Sequence, residues 1–396
     1  MILHNLRLID GTGRVWEQAA IRIDGERVVA VTEGRVAAVT EGQASATEEE
    51  SLDLGGRTII PGLINCHVHL CLDGTPDPNG IWRQRTLTEN VLVAAQHAEA
   101  TLRAGVTTVR DMAGTDGVDL GLKKAINTGL IPGPRMLVSA KLICMTGGHG
   151  YFTGREADGP DEVRKAVREQ LKAGADVIKL MATGGVMTEG VEPGSAQLTY
   201  EELCAGVEEA KKAGKLTASH AQGTAGIKNA VRAGIDSIEH GFYLDTEVIA
   251  MMLERGTFFV PTLAALYHII EAGEGAGIPA FMVEKSKRAK AAQLDSFTRA
   301  HEAGIRIAAG NDGGTPFNTA DNLASELARM VEAGMSTTEA LAAANGVAAE
   351  LLHMADQIGT VEPGKLADLV VLDADPLADI SALRQVHMVI KAGQRV

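Results

Sequence analysis

The stretch Pro61-Gly-Leu-Ile-Asn-Cys-His-Val-His-Leu70 decides how this chain is to be read. Leu63 to His69 is a short apolar run that closes on two histidines two positions apart. On a strand both imidazoles project from one face and can grip a single ion, while Val68 packs on the other face and Cys66 points away from His67. Alone, such a pair reads as two satisfied polar residues at a strand end. Its weight depends on what stands at the ends of the other runs.

Seven further β-prone runs follow: Val106 to Asp111, Arg135 to Ala140, Asp176 to Met181, Lys215 to His220, Asp236 to His240, Thr257 to Thr262 and Ile305 to Asn311. Between them lie stretches of helical periodicity, such as Glu162 to Ala173, Tyr200 to Ala213 and Ala320 to Ala333, often closed by Ala-Gly. Eight β/α units over roughly 250 residues predict an α/β fold, a (β/α)8 TIM barrel occupying residues 62–355.

The flanks are strand-like. Ile2 to Leu8 alternates apolar and polar residues, and Asp24-Gly25 between two alternating runs signals a hairpin. VVAVTEG at 28–34 recurs as VAAVTEG at 36–42, a local duplication too short for a solenoid, and Ala44 to Ser51 reads as a solvated acidic loop. KLADLVVLDADP (365–376) and VHMVIKAGQRV (386–396) are short β-rich runs near the other end. Neither end makes a stable sheet alone, so the two together predict a small β-sandwich from residues 1–61 plus 356–396.

Composition fits a globular chain. Its 396 residues are 45% hydrophobic and 22% charged, enough for one large core and a smaller unit, and 45 glycines suit many tight turns. A formal charge of -14, without Lys/Arg clusters, argues against a nucleic-acid partner. With no uninterrupted apolar stretch of about 18 residues, no membrane association is expected, and the expected location is cytoplasmic. Four cysteines (66, 71, 144 and 204) without CxxC spacing suit reduced thiols. A homo-oligomer is an open expectation, since symmetric assembly is common among soluble proteins.

The chemistry then falls at the strand tips. His220 ends LTASH, His240 ends DSIEH, and Asp312 closes the eighth run, adjacent to the first if the barrel closes. Neutral imidazoles there converge beside His67 and His69, and Asp312 can bind a metal while accepting a proton from water. Lys179 lies inside an apolar strand, where a bare ammonium is costly to bury. Taken singly it reads as a snorkelling or paired lysine. Among ligands on the first, fifth, sixth and eighth tips, it reads instead as an amine that reacts with CO2, giving a carbamate able to bridge two metals about 3.5 to 4 Å apart.

This HxH, Lys, His, His, Asp order resembles the amidohydrolase superfamily over nearly the whole length. PGLINCHVHL is similar to its opening strand, and EPGKLADLVVLDADP with VIKAGQRV to its closing β segment. TTVRDMAG, GGHG, DVIKLMATGGV, SHAQG and IEHGFYLD resemble the branch of binuclear prolidases and carboxypeptidases related to imidazolonepropionase. The resemblance implies two divalent metals, zinc being the expected ion. His67 and His69 hold one with Asp312, His220 and His240 hold the other, carbamylated Lys179 bridges them, and a hydroxide between the metals attacks an amide carbonyl. Asp312 would carry the proton to the leaving nitrogen.

The resemblance also implies substrate contact for His149, in TGGHGYF, and for Tyr243, three residues after His240. Arg110 and Asp111 read as an internal ion pair at the barrel mouth, and Thr183, Gly184 and Gly185 as pocket wall. Tyr267 and His268 are further candidates to face substrate. His4, His97, His301, His353 and His387 read as surface or packing residues. The expected activity is hydrolysis of a small-molecule amide, a dipeptide of Xaa-Pro type or an N-acyl amino acid. The alternatives are an amidase on non-peptide N-acyl amino acids, ochratoxin-type, and a non-catalytic scaffold of the same fold.

Overall fold

Alternation builds the terminal sheet. In the computed structural model, which describes residues 1–34 and 50–396, the strand Ile2–Ile9 pairs antiparallel with Val15–Asp24, which pairs with Arg27–Glu33. The hairpin's central residues are Gly25 and Glu26, one position later than the Asp-Gly dipeptide suggests, because Asp24 pairs with Arg27 and Gly25 takes the left-handed φ of 55°. Thr58–Pro61 lies parallel to the first strand and antiparallel to Leu369–Leu372, and Val386–Lys391 and Gln394–Arg395 follow. Both ends of the chain thus share one eight-stranded sheet. Its buried face carries Leu3, Leu8, Ile21, Ile59 and Val371, all inaccessible to solvent. The second copy of the duplicated heptapeptide and most of the acidic loop lie outside the described residues, whereas Ser51, placed in that loop from sequence, begins a strand.

After Gly62 the pattern changes to parallel strands alternating with helices. Leu63–Val68, Val106–Asp111 and Arg135–Val138 form one parallel set; Val177–Met181, Leu216–Ala221, Ser237–His240 and Phe258–Val260 belong to a second. The Asp176 N–H donates to the Val138 carbonyl at 2.8 Å, between the third and fourth strands. At the far edge Ile307 bridges to Phe259, and Gly313 bridges to Val68. Helices such as Pro160–Ala173, Tyr200–Lys212 and Leu323–Glu332 bury their apolar stripes against these strands.

Three strands are shorter than their sequence runs suggest. The third stops at Val138 because Ala140 adopts φ 55°, and the seventh stops at Val260 because Thr262 adopts φ 51° and a helix, Leu263–Ala272, starts at the next residue. The run from Ile305 to Asn311 is not a regular strand. It passes so near its neighbours that a Cβ on Gly310 would come within 2.7 Å of Val260 and 2.8 Å of the His67 nitrogen, and the left-handed turn at Asp312 ends the ladder.

Candidate metal centre

Strand geometry delivers the donors to one cavity. His67 lies near the end of the first strand and His69 just beyond it, Lys179 sits in the middle of the fourth, His220 and His240 come from the fifth and sixth, and Asp312 follows the eighth segment. All six line the same cavity, of about 840 Å³ counting its opening to solvent. His67 Nε2 and His69 Nε2 lie 3.4 and 3.2 Å from Asp312 Oδ1, and one donor atom from each of these three residues falls within 4.8 Å of the others. His240 lies between the groups, its ring centroid 5.0 Å from that of His67 and 4.6 Å from that of His220.

Each deeply buried imidazole has one nitrogen engaged and the other left for the cavity. His67 Nδ1 is 2.8 Å from Glu239 Oε2, His240 Nδ1 is 2.8 Å from Thr262 Oγ1, and His220 Nε2 donates to the Gly184 carbonyl at 2.9 Å. Such partners fix ring orientation and tautomer, as is usual around metal-binding histidines. Burial holds all three rings well below the usual histidine range, so they are neutral, as ligation requires. Glu239 is itself fixed by Arg110 at 2.8 Å and Ser237 Oγ at 2.5 Å. Arg110 therefore pairs internally as expected, but with Glu239. Asp111 instead accepts from the Leu70 backbone, and burial beside Asp119 raises its carboxyl to about 7.

Lys179 is 2% exposed, and burial lowers its ammonium to about 8 against the opposing charges of Glu239 and Asp312. Asp312 goes the other way: against desolvation, its His67, His69 and Lys179 neighbours hold its carboxyl below the usual carboxylate range. Two donors have unusual backbones, His240 at φ 72° and Asp312 at φ 56°. A buried network over-determines the second of these: Asn65 donates to Asn311 at 2.8 Å, Asn311 to Asn318 at 3.2 Å, and Asn318 to the Asp312 carbonyl at 3.2 Å.

Residues 58–396 match the amidohydrolase family. The chain belongs to that family. Within it, the chain is 33% identical to an ochratoxinase of Aspergillus niger over 356 residues, 83% of this chain and 72% of that one. A crystal structure of a Xaa-Pro dipeptidase with bound methionine superposes with a TM-score of 0.90 at 34% identity, covering 100% of this chain and 99% of the other. A prolidase complexed with N-methylphosphonate-L-proline gives 0.91 at 31% identity, covering 100% and 98%. The amidohydrolase described here is accordingly a hydrolase acting on amide bonds, with the metal dependence typical of its family.

Beyond the donors the cavity of this amidohydrolase is largely apolar, with Leu142, Phe152, Val186, Met187, Phe242, Leu266 and Ile269 in its walls. His149 lines it, its ring 4.4 Å from His220 and its Nδ1 2.8 Å from Thr188 Oγ1. Tyr243 does not line the cavity; it packs half-buried behind the wall that Phe242 and Val186 form. Tyr267 and His268 also face elsewhere, against Arg329 and Ser325, because Ala265, Leu266 and Ile269 occupy the cavity side of their helix. The five remaining histidines lie outside the cavity lining. Sequence reading missed Glu239, Thr262 and the Gly184 carbonyl as the groups that orient the rings. A backbone carbonyl leaves no sequence signal, and strand alternation sets the carboxylate directly before His240 on the opposite face.

Proposed function

We propose that this amidohydrolase is binuclear and cleaves the amide bond of dipeptides of Xaa-Pro type or of N-acyl amino acids. The observation that carries the reading is the convergence of His67, His69, Lys179, His220, His240 and Asp312 on one cavity, with three of the rings already turned by outside partners. The donor set suits two divalent ions, zinc in our reading, His67, His69 and Asp312 holding one and His220 and His240 the other. Lys179 joins the sites after its neutral amine adds to CO2, forming an N–C bond and releasing a proton. When bound, the metals supply Lewis-acid chemistry, lowering the pKa of water and polarising a carbonyl.

The protein's own groups do the rest. Asp312, ionised throughout the working range, takes the proton of the attacking water and returns it to the leaving nitrogen. His149, which lines the cavity, is assigned to donate to the substrate carbonyl or carboxylate. Tyr243 stands behind the wall that Phe242 and Val186 form, and we retain it as a contact for the same group. The apolar walls exclude water and take up the flanking side chain. They also favour a second reading, an ochratoxin-type amidase acting on N-acyl amino acids with an aromatic acyl group, which the likeness to ochratoxinase supports.

We also read the two parallel sets and the 305–313 segment as a closed (β/α)8 barrel over 62–355, with 1–61 and 356–396 as a composite β-sandwich. Among the described residues no helix is long and apolar enough to cross a membrane. The test joins metal analysis to a panel of dipeptides and N-acyl amino acids varied at the C-terminal residue and including N-aroyl members. About two zinc equivalents per chain are expected, with loss of one or both in Lys179→Ala, and turnover of one C-terminal class. Folded protein that takes up no zinc in the presence of bicarbonate, or no turnover across the panel, overturns the reading.

A further inference from the structure

Lys285 extends from the long helix Ala280–Glu302 and is 4% exposed. Its ammonium donates to the carbonyls of Thr188 and Val191 at 2.6 Å each and of Gly185 at 3.3 Å, with the Phe281 ring centroid 5.2 Å away. An ammonium has three N–H groups, and three carbonyls use all of them. All three belong to the loop after the fourth strand, whose stem is closed by a bridge between Thr183 and Ala196. Burying a cation is costly. Here it sits where the carbonyls of 185, 188 and 191 converge, so an apolar side chain in its place would leave them unsatisfied.

The first half of that loop, Gly184 to Thr188, reaches the metal centre, and the rest runs outward to solvent. The Gly184 carbonyl accepts from His220 Nε2. A Cβ on Gly185 would stand 2.3 Å from His149 Nε2, so His149 packs directly on the loop backbone. Thr188 Oγ1 is bonded to His149 Nδ1 and accepts from the Gly150 N–H at 3.2 Å. Val186 and Met187 form part of the cavity wall.

We propose that Lys285 is a positioning residue, an internal cation that locks the 184–192 loop and thereby sets the orientation of His149 and His220 and the place of the Val186–Met187 wall. The inference rests on the function proposed above. It deepens that reading by assigning control of the site to a residue outside the cavity lining.

The test uses the zinc-loaded full chain carrying Lys285→Met, Lys285→Arg or, as an exposed control on the same helix, Lys287→Met. Lys285→Met is expected to lose roughly 100-fold in kcat, the scale of an ångström-level misplacement. Amide hydrogen exchange should quicken across 184–192 and nowhere else in the barrel, Lys285→Arg should recover part of the loss, and Lys287→Met should match the wild type. Unchanged kcat and loop exchange in Lys285→Met overturns the inference, and so does exchange that quickens uniformly over the barrel. Should Lys285→Met fail to fold, Thr188→Val decides: it leaves the clamp in place but removes the hydroxyl from His149, and undiminished kcat there also overturns it. A wild type that turns over nothing on the panel sinks the function reading alone, because the exchange pattern and the ring-nitrogen shifts of His149 and His220 still test the clamp.

Discussion

Glu239 controls His67 while itself held by Arg110 and Ser237, so the ring's direction depends on a buried acid that touches no cavity surface. Glu239→Gln weakens the charge behind the imidazole and leaves the Arg110 guanidinium without its anion. Affinity for the bound divalent metal, measured by chelator competition, is expected to drop roughly 10- to 100-fold, while the other donors stay in place; affinity equal to wild type would show that the carboxylate does not support the ring. The residues that could be read from sequence were those whose type is itself unusual at a strand tip, histidines and a lysine inside an apolar run. Glu239 was hidden by the alternation rule. Neighbours on a strand face opposite ways, so Glu239 and His240 should not serve one site, but the left-handed turn at His240 ends the strand there and lets both face inward.

Between elements, the helix Leu263–Ala272 begins without help from its own cap residue, since Thr262 Oγ1 is turned to His240. Glu326, from the helix Leu323–Glu332, replaces it and accepts from the Leu263 and Ala264 N–H groups at 2.9 and 2.7 Å. Burial pushes this carboxyl from 4.5 up to about 8, the two N–H donors and Arg329 working against the shift and the Asp312 charge adding to it. Between those two values the folded chain keeps a proton that the unfolded chain has lost, so this group makes stability fall as pH rises, by up to about 1.4 kcal/mol per pH unit. Urea melts taken from about pH 5 to pH 9 should show that decline in the wild type and not in Glu326→Gln. An equal slope in both would assign it to another group. Helix ends and strand existence were legible from periodicity, whereas the early stops at Val138 and Val260 were not, because they arise from left-handed φ at an alanine and a threonine, residues that give no turn signal.

Across the whole molecule, the terminal sheet and the parallel strands meet at Asp368. Its carboxylate pairs with Arg135 on the third strand at 2.6 Å and accepts the Ala392 N–H at 2.8 Å, and its carbonyl accepts the Gly62 N–H where the chain passes from one sheet to the other. Lys391 adds a contact to the Gly133 carbonyl at 2.6 Å. Asp368→Ala is expected to cost about 2 kcal/mol in denaturant titration with an unchanged slope, since hydrogen bonds to a charged group are lost and Arg135 is left unpaired. A loss below a few tenths would mean that apolar packing alone joins the two parts. That both ends form one sheet could be inferred because neither had strands enough by itself. The seam could not, since one aspartate among 51 acidic residues carries no mark of its partner.

The left-handed backbones of His240 and Asp312 have a consequence for anyone who breeds this enzyme for robustness. At those φ values glycine costs the chain least, while the histidine and aspartate that we propose as ligands are tolerated there but still dearer than glycine. A selection that rewards heat resistance alone would therefore drift toward Gly at 240 and 312, and on the function proposed above its hardiest survivors would be catalytically dead. Any such campaign should hold those two codons constant from the outset.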